Sequence, residues 1–423
     1  MRPGSGPVAN GVEDVVGTLA AASKGLSRPG IQASTLCELR MQYVKGLDGI
    51  RGISIIFVML FHFGYFPAGW IGVQIFFVLS GYLITTILLQ QNTDFKSYIA
   101  RFYLNRALRI FPLYFMFLTA TAVIYSLLAV PPEWSTDWPW LITYTSNFAR
   151  LRPQDLPTFV HTWSLAVEEQ FYLVWPFVIF LLPGKSLRIA VVALLVLSPI
   201  ARLITFDSLA HLGSEYAGRA TYSMMFTQMD AFASGGAVSI LRLNMIRTPL
   251  RWFLLSLSTA AVAGGSILVV KHIWQGGAMI RTLGFEHFLL GNYEYVWGYS
   301  LINIISALLI VCVLRRVSIV RPLESAPLTS IGKISYGIYI YHLPLLLIGE
   351  FMVGHALEGW GRGSFFVIWV IAVLAVSQAS FHYIERPFLR LKTVTKPSFP
   401  SVPFVSVAQE NLAAGRLGSI DRA

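Results

Sequence analysis

Residues 47–86 read LDGIRGISIIFVMLFHFGYFPAGWIGVQIFFVLSGYLITT, and the chain is organised around this stretch. Two apolar runs of membrane length flank a short turn, GYFPAGW. The first run contains Arg51 and His62, eleven positions apart. Since eleven steps of roughly 100° return to nearly the same angle on an α-helix, both side chains are predicted to lie on one face, about 16 Å apart along its axis. Ionisable groups within a membrane span are costly and usually mark a pathway or a reaction site.

The composition indicates a polytopic membrane protein. Of the 423 residues, 55% are hydrophobic and 13% are charged, which is about half the charged fraction of soluble domains. The mean hydropathy is +0.63. A net charge of +11 would suggest nucleic acid as the partner of a soluble domain. In a membrane protein, basic residues on cytoplasmic loops explain this charge better, so no nucleic-acid partner is expected.

The fold class predicted from the apolar pattern is an all-α transmembrane helix bundle with about ten spans. About twenty apolar residues cross a bilayer core. Spans are predicted at residues 47–65, 71–90, 107–129, 164–182, 187–206, 222–241, 251–270, 296–314, 331–350 and 364–385. Lys and Arg concentrate on alternate connections, which predicts that both termini are cytoplasmic. Tryptophans and tyrosines in the outer loops, residues 130–162 and 271–295, suit interfacial anchoring or stacking on a sugar ring.

The two ends of the chain are predicted to be mobile cytoplasmic tails. Residues 1–44 and 393–423 are small, polar or Pro-punctuated, and they flank a transmembrane domain at residues 45–392. No cleavable signal peptide is expected, because the first forty residues lack an apolar region. Cys37 and Cys312 lie in settings too different for a disulfide, and no metal site is expected.

The third predicted span opens with two arginines in the sequence RALRIFPLY. Arg106 and Arg109 are three residues apart and therefore lie on neighbouring positions of one helix face. Two clustered guanidinium groups suit the binding of phosphates. For Arg106 alone, an ordinary charge at the end of a span is the plainer interpretation. Arg109 lies further into the span, close to Pro112, and is harder to explain in that way.

Other spans carry further polar groups. The fourth begins HTWSLAVEEQ, with His161 at the outer boundary and Glu168 and Glu169 about two turns deeper. One carboxylate would pair with an arginine of another helix, and the other would orient a histidine or hold an acceptor hydroxyl. His342 lies near the middle of the ninth span and Asp230 within the sixth. A lone histidine on a helix is more often a packing residue than a catalyst.

Taken together, the motifs resemble the acyltransferase 3 family of integral membrane acyltransferases, which modify bacterial surface polysaccharides, peptidoglycan and related acceptors. The matching segments are LDGIRG with the Arg51–His62 spacing, FFVLSGYLIT, RALRIFPLY, HTWSLAVEEQFYLVWP, IGKISYGIYIYHLP and YIERP. One departure is Gln228, which stands where the family often has an arginine two residues before the aspartate of the sixth span. The chain looks like the stand-alone form, without the extracytoplasmic hydrolase-like domain of some relatives.

The resemblance implies transfer of an acyl group, commonly acetyl from acetyl-CoA, to a hydroxyl of a glycan or glycolipid acceptor. It implies a protein of the bacterial cytoplasmic (inner) membrane with acyl-CoA as donor substrate and no tightly bound cofactor. Arg106 and Arg109, together with Arg51, would bind the phosphates of coenzyme A. The further polar candidates are Ser80, His161, His342 and Asp230.

The expected catalytic group is His62, helped by Arg51. The imidazole would act as general base on the acceptor hydroxyl, or it would carry the acyl group as a transient acyl-imidazole. Glu168 or Glu169 would orient an imidazole or bind the acceptor. The residues alone leave both chemical routes open.

Two rival functions stay open at the level of the sequence. A proton-coupled transporter would use the same intramembrane histidines, arginines and glutamates, although no inverted repeat is visible between the halves of the chain. A non-catalytic membrane partner would keep the same scaffold. The intact pair of Arg51 and His62 argues against that second reading.

Overall fold

A computed structural model describes residues 43–91, 93–127, 137–152, 159–275, 280–291, 293–353 and 361–394. Within these ranges the chain is all-α and contains no strand, which confirms the predicted fold class. The predicted mobile tails, residues 1–44 and 393–423, lie outside the described residues except for two positions at each inner end.

The described residues form fifteen α-helices joined by turns, short 3₁₀ segments and a π-helical segment at Phe381–Glu385. The first eight are α1 (Lys45–His62), α2 (Ile71–Leu89), α3 (Phe95–Leu127), α4 (Trp138–Ile142), α5 (Ser146–Ala149), α6 (Thr162–Leu181), α7 (Gly184–Leu209) and α8 (Ser214–Ser223). The others are α9 (Met225–Ile240), α10 (Pro249–Gln275), α11 (Glu294–Leu314), α12 (Ala326–Lys333), α13 (Ser335–Val353), α14 (Arg362–Ser380) and α15 (Arg386–Val394).

A helix covers each of the ten predicted spans, but not all of these helices resemble a simple span. In the described part of the chain, seven helical segments are long and apolar enough to cross a bilayer, or eight if the bent pair α12 and α13 counts as one span. The protein is therefore an integral membrane protein. Helix α1 carries Lys45, Asp48 and Arg51 within its 18 residues, and α9 has 16 residues. The count of ten spans stays a prediction.

Two helices differ from the predicted segments in ways that matter for the polar residues. Helix α3 begins at Phe95, well before the predicted start at residue 107, so Arg106 and Arg109 lie inside a 33-residue helix rather than at its end. The predicted ninth span is broken into α12 and α13, which meet at an angle of 74°. The break turns α12 against α1, where Gly332 lies so close to the carbonyl of Asp48 that a Cβ atom would be 1.8 Å from it.

Helix α2 is the centre of the bundle. In its spanning segment 72% of the residues are buried, whereas 11% are buried in that of α10, which presents apolar side chains to the membrane. A Cβ atom on Gly81 of α2 would lie 2.1 Å from the carbonyl of Phe232 of α9. Small residues let helix backbones approach in this way inside membranes. The tight contact of α2 with α9 fixes the face that α2 turns toward the polar residues of α1, α3 and α6.

The polar group that joins α7, α9 and α11 is a buried ion pair. Arg202 donates to both carboxylate oxygens of Asp230, at 2.8 and 2.9 Å, and Ser300 donates to the same carboxylate at 2.7 Å. Arg202 is fully buried, and its guanidinium also donates to the backbone carbonyls of Thr227 and Val296. Asp230, predicted as a further polar site residue, thus contacts a structural arginine, and it lines neither of the two cavities described below.

Breaking this ion pair is expected to destabilise the bundle. Replacing Asp230 by asparagine leaves a buried guanidinium without its counter-charge, a loss worth about 3–5 kcal/mol. We expect a clearly lower thermal unfolding midpoint for purified Asp230→Asn protein in detergent. The matched control is Glu215→Gln, which breaks the Glu215–Arg219 pair, whose carboxylate is 75% exposed and where the expected change is below about 1 kcal/mol. Equal midpoints for Asp230→Asn and the unaltered protein would contradict a structural role for the pair.

Candidate active site

Three arginines line one cavity, which we call the arginine cavity. Its empty volume, which includes space open to solvent, is about 860 Å³. Arg51 reaches it from α1, and Arg106 and Arg109 reach it from α3. The structure thus brings together all three arginines that the sequence analysis assigned to the phosphates of coenzyme A.

The guanidinium groups of the arginine cavity are only partly neutralised. Arg51 donates to Asp48 at 2.7 Å, and the same carboxylate accepts a hydrogen bond from Tyr43. Within the described residues, no carboxylate lies within 4.0 Å of the guanidinium nitrogens of Arg106 or Arg109. Arg106 lies instead over the ring of Tyr172, at 5.6 Å from its centroid. Clustered guanidinium groups of this kind suit a polyanionic ligand.

The two adjacent glutamates of α6 also line the arginine cavity. Glu168 accepts short hydrogen bonds from the hydroxyls of Ser80 and Tyr172, which connects α6 to α2. Glu169 has no ion-pair partner within 4.0 Å in the described part of the chain. Neither carboxylate lines the cavity that contains His62. Ser80, a further polar candidate from the sequence, is a hydrogen-bond donor to Glu168.

His62 lies at the end of α1 and lines a second cavity of about 520 Å³, which we call the histidine cavity. His161 and His287 line it as well, beside Arg150. Its walls are largely aromatic, formed by Trp70, Trp163, Tyr222 and Tyr339. Among the described residues, no group of three or more His, Cys, Asp or Glu side chains is arranged to hold a metal ion. The cavity therefore combines imidazoles with flat aromatic surfaces.

The ring of His342 packs against the ring of His62. Its Nδ1–H donates to the carbonyl of Tyr339 at 2.7 Å, so Nε2 is left as an acceptor. That nitrogen is buried and has no hydrogen-bond partner among the described residues. The ring of His342 lies 5.0 Å from that of His62 and 5.3 Å from that of His161, measured between centroids. Three histidines from α1, α13 and the start of α6 thus pack together.

His287 is a site residue that the sequence analysis missed. It lies in the loop between α10 and α11, and its ring is 5.2 Å from that of Tyr222 and 5.0 Å from that of Phe61. Burial, helped by the charge of Arg150, lowers the pKa of His287, so its ring is neutral near pH 7. The signal in the sequence was an isolated histidine in FEHFLL, which has no periodicity and no motif to single it out.

The loop that carries His287 has an unusual backbone. Leu283, Phe288 and Leu289 have φ angles of 53°, 70° and 51°, a left-handed conformation that is rare for residues with a side chain. Each such residue costs roughly 1–3 kcal/mol and persists only where the surroundings enforce it. One enforcing contact is the hydrogen bond from Trp70 Nε1 to the carbonyl of Phe285. The bundle thus holds His287 at the histidine cavity.

The two cavities meet at Val73 of α2 and Tyr339 of α13. In the described part of the chain, these are the residues that line both. Arg51 and His62, predicted on one face of α1, therefore line two neighbouring cavities rather than one. The arrangement places a chamber of three arginines and two glutamates next to a chamber of imidazoles and aromatic rings. Chemically, it can hold a polyanionic donor on one side and a hydroxyl-bearing acceptor beside a base on the other.

A model of an acyltransferase domain matches residues 44–382, about four fifths of the chain. The chain belongs to the acyltransferase 3 family. This confirms the resemblance seen in the motifs around Arg51, His62 and the arginine pair of α3. No solved structure matches this chain.

The chain is similar to several bacterial proteins that are named as O-acetyltransferases. It is 29% identical over 377 residues to YrhL of Bacillus subtilis, a candidate peptidoglycan O-acetyltransferase, covering 82% of this chain and 55% of YrhL. It is 26% identical over 400 residues to the O-acetyltransferase OatA of Staphylococcus aureus, covering 88% of this chain and 60% of OatA. The peptidoglycan O-acetyltransferase OatA of Listeria monocytogenes is 28% identical over 369 residues, 82% of this chain and 56% of that protein. The chain spans a little over half the length of these relatives.

Proposed function

We propose that this protein is a membrane-embedded O-acyltransferase that moves an acyl group, acetyl in the first instance, from acyl-CoA to a hydroxyl of a carbohydrate acceptor. The observation that carries the proposal is the junction of the arginine cavity and the histidine cavity at Val73 and Tyr339. Membership of the acyltransferase 3 family and the O-acetyltransferase relatives support it.

The donor binds in the arginine cavity. Coenzyme A carries phosphate groups, and Arg51, Arg106 and Arg109 supply three guanidinium groups for them. The distribution of Lys and Arg along the chain favours cytoplasmic termini, which puts the α1 end that bears Arg51 on the side where acyl-CoA is made. We therefore propose the bacterial cytoplasmic membrane as the location, with donor entry from the cytoplasm.

The acceptor binds in the histidine cavity. Aromatic rings such as Trp163 and Tyr222 present flat faces on which a sugar ring can pack, and the neutral ring of His287 can both donate to and accept from a hydroxyl. The relatives from Bacillus subtilis and Listeria monocytogenes are named for peptidoglycan, which supports a carbohydrate of the cell wall as the acceptor class.

Transfer needs a base beside the acceptor hydroxyl, and His62 is that base. No described residue hydrogen bonds to its imidazole, so the ring is available to the cavity that it lines. His62 takes the hydroxyl proton while the oxygen attacks the thioester carbonyl, the C–O bond forms and the C–S bond breaks. The proton then passes to the departing thiolate, which yields the acyl ester and free coenzyme A. His342, packed behind His62, holds its ring in place.

The O-acetyl content of surface glycans tests the proposed function in cells. Removal of the gene is expected to lower the base-labile acetate of purified surface glycan, and the unaltered gene is expected to restore it. A gene encoding His62→Gln should fail to restore it, whereas Arg188→Gln, at an exposed arginine of α7, should succeed. Glycan acetylation that is unaffected by removal of the gene would contradict a carbohydrate acceptor.

A further inference from the structure

The boundary between the two cavities is formed by Val73 and Tyr339, which line both. Val73 and Tyr339 are each 7% exposed, so neither extends freely into open space. Val73 is β-branched and lies on the central helix α2, where such a side chain has essentially one rotamer. Its partner across the junction, Tyr339, comes from α13 of the broken span.

The ring of Tyr339 is fixed at its far end. Its hydroxyl donates to the carbonyl of His161 at 2.9 Å and is hydrogen bonded to the hydroxyl of Ser164. Phe76 packs edge-on against the ring, at 6.4 Å between centroids. A ring held by two hydrogen bonds and an aromatic neighbour cannot swing aside without losing them. The boundary between the two cavities is therefore formed by these two side chains.

We propose that Val73 and Tyr339 form a filter that selects the acyl donor by the cross-section of its acyl group. The inference rests on the proposed function, since it takes the arginine cavity as the donor site and His62 as the base. A thioester held by its phosphates in the arginine cavity has to present its carbonyl to His62 across this junction. A straight acyl chain has the same cross-section at any length, whereas a branch next to the carbonyl widens it. The substrate class is thus the unbranched acyl thioester.

Val73 is the specificity-determining residue that can be varied most cleanly. Val73→Ala removes two methyl groups from the filter and leaves the arginines, His62 and the anchored Tyr339 unchanged. Val73→Phe fills the junction. The matched control is Val78→Ala on the same helix, which removes the same atoms from a buried position that lines neither cavity.

Two isomeric donors separate cross-section from hydrophobicity. Butyryl-CoA and isobutyryl-CoA contain the same atoms, and only the second is branched beside the carbonyl. The measurement is transfer of radiolabelled acyl groups into base-labile ester in membrane vesicles that contain the full-length protein, with acetyl-CoA as reference. One misplaced methylene-sized group changes enzyme discrimination by about 10- to 200-fold. We expect Val73→Ala to raise the isobutyryl-to-butyryl ratio at least about tenfold, and Val78→Ala to leave it unchanged.

The variant Val73→Phe, which fills the junction, provides a second test of the filter. Val73→Phe is expected to lower acetyl transfer at least about tenfold while the Kd of coenzyme A for the purified, folded protein stays within about twofold. Unchanged acetyl transfer by Val73→Phe, or an unchanged isomer ratio for Val73→Ala, would overturn the filter. Failure of the unaltered protein to transfer acetyl would instead refute the proposed function, so the two failures are distinguishable.

Discussion

Replacing His62 by glutamine is expected to reduce the rate constant of acyl transfer by about 10²- to 10⁴-fold, the usual contribution of a positioned general base. Glutamine has nearly the size of histidine and keeps hydrogen-bonding capacity, but it cannot take up a proton. His62 lines the histidine cavity and not the arginine cavity. The Kd of coenzyme A is therefore expected to stay within about twofold, so the loss falls on the chemical step.

The control for this prediction is His272→Gln, at an exposed histidine of α10 that lines neither cavity. It should transfer acetyl as the unaltered protein does. Transfer at the original rate by folded His62→Gln protein would remove His62 from the reaction. Accumulation of a stable acyl-protein adduct on the unaltered chain, absent from His62→Gln, would favour the acyl-imidazole route over general-base catalysis.

The second large effect is expected at Arg109. Its guanidinium lines the arginine cavity without a carboxylate within 4.0 Å in the described part of the chain. Loss of a hydrogen bond to a charged group costs about 1.5–3 kcal/mol, so Arg109→Gln should weaken binding of coenzyme A about 10- to 100-fold. Arg106 is a less clean target, because it also packs over the rings of Phe102 and Tyr172.

Pantetheine makes the Arg109 experiment specific for phosphate. It has the arm of coenzyme A but no phosphate group, so its affinity is expected to be the same for Arg109→Gln and for the unaltered protein. Arg188→Gln, at an exposed arginine of α7, should change neither affinity. An unchanged Kd of coenzyme A in Arg109→Gln protein would show that the phosphates are bound elsewhere.

Much of this architecture could be predicted from local sequence patterns. The apolar runs located a helix at every predicted span, and the eleven-residue spacing put Arg51 and His62 on the same helix, α1. Helical periodicity also brought Arg106 and Arg109 to one cavity. These features depend on a single helix, whose geometry follows from residue spacing alone.

What could not be predicted depends on contacts between helices distant in sequence. The 74° bend between α12 and α13 arises where Gly332 packs against the backbone of Asp48, and a hydropathy profile has no term for such a contact. The partner of Asp230 is Arg202, 28 positions earlier and on another helix. His287 is positioned at the histidine cavity by a loop with a strained backbone, so helical periodicity could not indicate it.

The placement of Arg51 and His62 in two different cavities also depends on contacts between helices that are distant in sequence. Residue spacing gives their distance along α1, but the wall between them comes from Val73 of α2 and Tyr339 of α13. That wall converts a single predicted polar face into a donor chamber and an acceptor chamber. Glu168 and Glu169, for which the sequence left pairing with an arginine, orienting an imidazole or binding the acceptor open, both line the arginine cavity.

The most direct test of the central claim is a measurement of stoichiometry. Membrane vesicles containing the full-length protein are incubated with radiolabelled acetyl-CoA, and base-labile acetyl ester and free coenzyme A thiol are counted together. The account predicts one thiol released for each ester formed, with neither product above background in vesicles that lack the protein. Thiol release without ester, or no label transferred at all, would contradict transfer from acyl-CoA to a hydroxyl.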